Sequence, residues 1–169
     1  GGITNSTTSA SKAIILADEQ MGVVMDNESH IIWERGGKFL SKSISSVSYP
    51  NDTPTNAKAC AKMILEAAQV TVSGDELKEK SIMSMLRKHL EHPVNLSGCT
   101  LDEVLYFVSS EKPVIGMLSA NHGVLITGYT TSQVTWMDPS TRTSKTVSLA
   151  TGERMFKEAG YQFYSYISY

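Results

Sequence analysis

Basic charge is in short supply: 15 Lys and Arg stand against 17 Asp and Glu, a formal net charge of −2. A chain with no basic excess gives no electrostatic reason to expect a nucleic-acid partner, because phosphate binding needs a positive surface. Long apolar runs are missing too, so no stretch reads as a membrane-spanning helix. No signal peptide is visible, with its basic start and apolar middle. The chain opens Gly1-Gly2 without a Met, which reads as a trimmed start with a tag remnant. Two cysteines, Cys60 and Cys99, are too few for a disulfide framework, although a single bridge between them stays open. The Asn-x-Ser/Thr sites at Asn5, Asn27, Asn51 and Asn95 read as chance matches in a chain rich in Ser and Thr.

What is present suits one globular unit: 169 residues, 41% hydrophobic and 19% charged. Residues 1–8 are small and polar and read as a tail. Residues 9–45 read as an appendage. In it, a short helix carries Ala13, Ile14, Leu16 and Ala17, and strands at 22–25 and 30–33 flank the turn Asp26-Asn27-Glu28-Ser29. The stretch 36–55 reads as a long connection. In the main unit, 46–169, Ala57, Ala61, Ile64, Leu65 and Ala68 share one face of a helix that starts near Thr55 or Asn56. A second helix is expected over 76–90 and a third after Thr100, with Glu103 completing a capping box. Strands at 113–118, 123–129, 134–137, 143–149 and 161–167, with a helix at 151–159, complete the pattern. Helices first and an antiparallel sheet afterwards is an α+β arrangement.

The stretch that can carry chemistry is Ala120-Asn121-His122-Gly123-Val124-Leu125-Ile126-Thr127-Gly128-Tyr129. It sets an imidazole at the mouth of an apolar strand. The next strand ends Trp136-Met137-Asp138-Pro139, and antiparallel pairing returns Asp138 towards His122. An acid beside an imidazole fixes its tautomer and stabilises its protonated form. Spacing alone favours a His and an Asp that merely serve two separate loops.

These residues, with Pro113-Val114-Ile115 before them, resemble the C-terminal half of the bacteriocin-processing cysteine peptidases that cleave double-glycine leaders, within the papain-like superfamily. The resemblance covers about 50–168. It implies a papain-like α+β fold, an N-terminal helical half packed on a C-terminal antiparallel sheet with a cleft between them. It assigns His122 as general base and Asp138 as its orienting acid. The family's nucleophile is a Cys at the N-terminus of the first long helix, where the macrodipole lowers the thiol pKa. Here that helix reads Asn56-Ala57-Lys58-Ala59-Cys60-Ala61-Lys62-Met63-Ile64-Leu65, which puts Asn56 at the nucleophile position and Cys60 one turn deeper. The family's upstream oxyanion Gln is absent, since 45–55 contains no Gln. The resemblance therefore implies a catalytically silent domain that acts as a peptide-binding or structural module, its partner a peptide or a cell-wall-associated ligand where it binds one, in a bacterial exported or surface protein whose signal has been removed. The alternative is an active cysteine peptidase with Cys60 as nucleophile, His122 as base and Asp138 as orienting acid. No cofactor is expected.

The other polar landmarks are blander. Cys60, flanked by alanines, also reads as a small core residue. Cys99 precedes a helix cap, with nothing to bring it to His122. His89 and His92 have a metal-compatible spacing but no partner to complete a site. His30 reads as a turn residue, Trp33 as a half-buried strand end, and Met83, Met85, Met117, Met137 and Met155 as core filling. Lys78, Lys80, Arg87 and Lys88 read as a solvated helix face.

Overall fold

The computed structural model describes residues 41–51 and 57–167. The tail, the appendage up to residue 40 with His30 and Trp33, and Asn56 all lie outside the described residues. The elements, in chain order, are β1 (Lys42–Ser43), α1 (Lys58–Ala67), α2 (Gly74–Glu79), α3 (Ile82–His89), β2 (His92–Asn95), α4 (Leu101–Ser109), β3 (Val114–Met117), β4 (Gly123–Tyr129), β5 (Gln133–Asp138), β6 (Thr143–Ser148), α5 (Leu149–Glu158) and β7 (Phe163–Ile167). The strands form one antiparallel sheet in the order β2-β7-β3-β4-β5-β6, with β1 paired to the far end of β4. This is the expected α+β architecture, a helical stretch packed on a C-terminal antiparallel sheet.

Alternation along the strands divides the interior in two, because successive side chains point to opposite faces. Val124, Ile126, Val134, Trp136 and Phe163 pack with α4 and Phe156 of α5. Their neighbours Leu125, Met137, Ile115, Met117 and Tyr164 pack with α1, Met85 and Leu86. Strand β4 is consequently buried along its whole length. Trp136 and Phe163 clasp Phe156 at centroid distances of 5.4 and 5.1 Å.

One expectation needs correction. The helix expected over 76–90 is two helices, broken at Lys80–Ser81. The Ser81 hydroxyl accepts from the Ser84 amide and starts a new helix, as the Ser73 hydroxyl does from Glu76 for α2. Residues 92–95, to which no element was assigned from sequence, form strand β2. Pro93 is tolerated there because β2 lies at the edge of the sheet. The capping box of α4 is present as expected, with Thr100 and Glu103 bonding reciprocally.

Helices α2 and α3 are tied by Glu76, only 7% exposed, whose Oε1 lies 2.8 Å from His89 Nε2 and 3.5 Å from Lys88 Nζ. Burial pushes the Glu76 carboxyl up, but the bonds and charges of His89 and Lys88 outweigh it and hold it below its usual range. A lowered folded-state pKa gives stability that is fully present above the unfolded carboxylate range and lost as pH falls through it. Glu76→Gln is therefore expected to lower the unfolding midpoint at pH 7 and to flatten its acid decline below about pH 4.3. Midpoints of both proteins between pH 3 and 7 check this, and parallel curves would count against it.

Candidate active site

Strand pairing assembles the site. The register sets Met137 opposite Leu125, so the end of β5 returns to the start of β4, where His122 precedes Gly123. His122 Nε2 lies 2.9 Å from Asp138 Oδ2, with the imidazole 40% and the carboxylate 15% exposed. A tight turn fixes the imidazole's backbone, since the His122 carbonyl accepts from the Leu118 amide at 2.7 Å. The expected juxtaposition of His122 and Asp138 is present.

Asp138 is held from its other side as well. Its Oδ1 accepts from the Ser140 hydroxyl at 2.6 Å and the Ser140 amide at 2.9 Å. Burial raises the Asp138 carboxyl. The Ser140 hydroxyl, the His122 bond and the Ser140 amide together outweigh that and bring it below its usual value. An ionised carboxylate only accepts, so the proton between the pair sits on His122 Nε2. In the neutral ring Nδ1 is then the basic nitrogen. Ser140 was not singled out from sequence, although Asp138-Pro139-Ser140 has the composition of an Asx turn.

The N-terminus of α1 meets the residues on either side of His122. The Ala57 amide donates to the Asn121 carbonyl at 3.2 Å. A Cβ placed on Gly123 would lie 2.8 Å from Ala57 Cβ, so only glycine lets the helix approach this closely. Asn56, the residue before Ala57, lies outside the described residues. Beside the contact, a cavity of about 380 Å³ is lined by Ala57, Met83, Met117, Asn121, Gln162 and Tyr164 among others.

Neither cysteine joins the pair. Cys60 is 0% exposed in the interior cluster of α1, and no hydrogen bond links it to His122 among the described residues. Burial, reinforced by the negative charge of Asp138, pushes its thiol far above the usual range. Cys99 is also buried, and both thiols are free. His89 is bonded to Glu76 and His92 lies 3.8 Å from Glu91. Among the described residues, no group of three or more His, Cys, Asp or Glu could hold a metal ion, and no helix is long and apolar enough to cross a membrane.

No family model and no curated protein sequence matches the chain. Its fold is similar to that of a crystal structure described as a C39-like peptidase from Bacillus anthracis. The two superpose with a TM-score of 0.62 at 18% identity, over 76% of this chain and 98% of that one.

Proposed function

We propose that this chain is a catalytically silent cysteine-peptidase-like domain that keeps a base and its orienting acid but binds peptides without cutting them. The reading is supported chiefly by the burial of Cys60, whose sulfur is fully enclosed and whose ionisation is strongly opposed. A nucleophile must be an accessible thiolate, and Cys60 is neither accessible nor readily ionised. Asn56, which the sequence places at the head of α1, has no nucleophilic side chain at neutral pH. The C39-like relative supports a shared scaffold, with a cleft in which a peptide or cell-wall-associated ligand can lie.

Mass spectrometry of a mixed peptide library incubated with the protein is expected to show retention of some peptides and new termini on none. Iodoacetamide should leave Cys60 and Cys99 unmodified in the native state, with rates at least about 100-fold below those in denaturant. Rapid native labelling of Cys60, or peptide cleavage lost in His122→Ala, would overturn the reading in favour of an active Cys60 enzyme. Placement in a bacterial exported or surface protein is part of the same proposal. Protease shaving of intact cells, which should remove the domain without lysis, tests it.

A further inference from the structure

The turn joining β5 to β6 carries a residue that the His–Asp pair does not by itself require. Arg142 sits there at φ 56°, the left-handed region in which a bulky side chain is strained and glycine is favoured. Its amide closes the turn on the Asp138 carbonyl at 2.8 Å. Its guanidinium reaches across the molecule, donating from Nη1 to the Pro50 carbonyl at 2.6 Å and lying 5.5 Å from the centroid of the Tyr49 ring. Residues 49–51 belong to the segment from which the chain proceeds to α1. One side chain therefore links the turn bearing Asp138 to a segment whose Val47 and Tyr49 pack with Ala57 and the interior face of α1.

Glycine at this position would relieve the backbone and close the same turn. The presence of arginine points to a need for the guanidinium itself. The interaction is also specific: a planar head can stack on a tyrosine while one of its N–H groups bonds a carbonyl. Pro50 is buried, so its carbonyl gains from a charged donor more than an exposed acceptor would.

We propose that Arg142 is a positioning residue, tying the Asp138 turn to the 49–51 segment and so keeping the His122–Asp138 pair in register with the N-terminus of α1. This rests on the reading of His122 and Asp138 as the site. Arg142→Gly is the informative variant, because it removes the clamp while the eased backbone offsets part of the lost bond to Pro50, so the fold is expected to survive with only a modestly lowered unfolding midpoint.

Two readouts then separate positioning from bulk stability. In the otherwise native chain, exchange of the Ser140 amide, bonded to Asp138, should accelerate about tenfold in Arg142→Gly while amides of β3 and β4 stay unchanged. In an Asn56→Cys background, alkylation of the introduced thiol at pH 6 should fall about tenfold with Arg142→Gly. Arg142→Lys, which can still donate to Pro50, should restore part of both. Unchanged Ser140 exchange and an unchanged thiol rate in Arg142→Gly would overturn the proposal. If the Asn56→Cys thiol is no faster than an ordinary one even with Arg142 present, the site reading fails, and Ser140 exchange alone decides the role of Arg142.

Discussion

Gly123→Ala is expected to unseat α1 from the sheet and lower the unfolding midpoint by roughly 6 °C. The added methyl would sit 2.8 Å from Ala57 Cβ and 3.1 Å from Ala57 Cα. Neither neighbour is the mobile end of a long side chain, so relief requires moving the helix. Overpacking of this kind costs about 1–3 kcal/mol. For a chain of this length each kcal/mol shifts the midpoint by about 2–4 °C. Gly123 is absent from the positive-φ glycines, so the loss is steric. Pairing it with Ala57→Gly makes the test sharp. Removing the opposing methyl should recover more than half of the loss, since Ala57 is the N-cap of α1 and glycine is no worse than alanine there. Gly116→Ala supplies the contrast: its methyl would meet Phe156 at 2.5 Å, and Ala57→Gly cannot relieve that. A full double-mutant cycle by thermal unfolding checks all of this. Additive losses for Gly123→Ala and Ala57→Gly would show that the helix contact is not what glycine protects.

That contact also marks where sequence reasoning reaches its limit. The apolar spacing of Ala61, Ile64 and Leu65 identifies α1, and the Thr100–Glu103 box identifies the start of α4, because both signals are local. Periodicity does not register a break that keeps the apolar stripe in phase, so Ser81 was absorbed into one long helix although it caps a new one. Pro93 hid β2, since a proline argues against a strand unless the strand is known to be an edge. Antiparallel neighbours return to one another, which allows His122 and Asp138 to meet, but only the family resemblance makes the pair a site. Arg142 was not legible: its partner Pro50 lies 92 residues away, and no local pattern connects a turn residue to a carbonyl that far off. The close approach of Gly123 to Ala57 is equally non-local, and a glycine after a histidine gives no hint of the helix it accommodates.

Asn56→Cys is expected to give this chain a reactive thiol without making it a peptidase. Position 56 is bonded to Ala57, whose amide lies on the Asn121 carbonyl, and successive Cα atoms are about 3.8 Å apart. On the proposed reading, in which position 56 heads α1, a thiol there gains from the positive end of the helix and from His122, whose Nε2 is engaged by Asp138. An ordinary thiol of pKa about 8.5 is roughly 0.3% ionised at pH 6. A helix N-terminus and an imidazolium can bring that pKa below 6. Lower basicity returns part of the gain as lower nucleophilicity, leaving alkylation by iodoacetamide about 10–100-fold faster than an exposed reference cysteine. The added rate should disappear when His122→Ala is combined with Asn56→Cys, whereas Cys60 and Cys99 remain unlabelled throughout. Peptide hydrolysis should still be weak. No glutamine lies in 45–55 to stabilise an oxyanion, and the loss of one such donor costs about 10²–10³ in turnover. An introduced thiol that reacts no faster than the reference, with or without His122, would place the head of α1 away from the imidazole. The His122–Asp138 pair would then be a structural link between β4 and β5. A thiol that also cleaves peptides efficiently would instead mean that Asn56 alone keeps the domain silent.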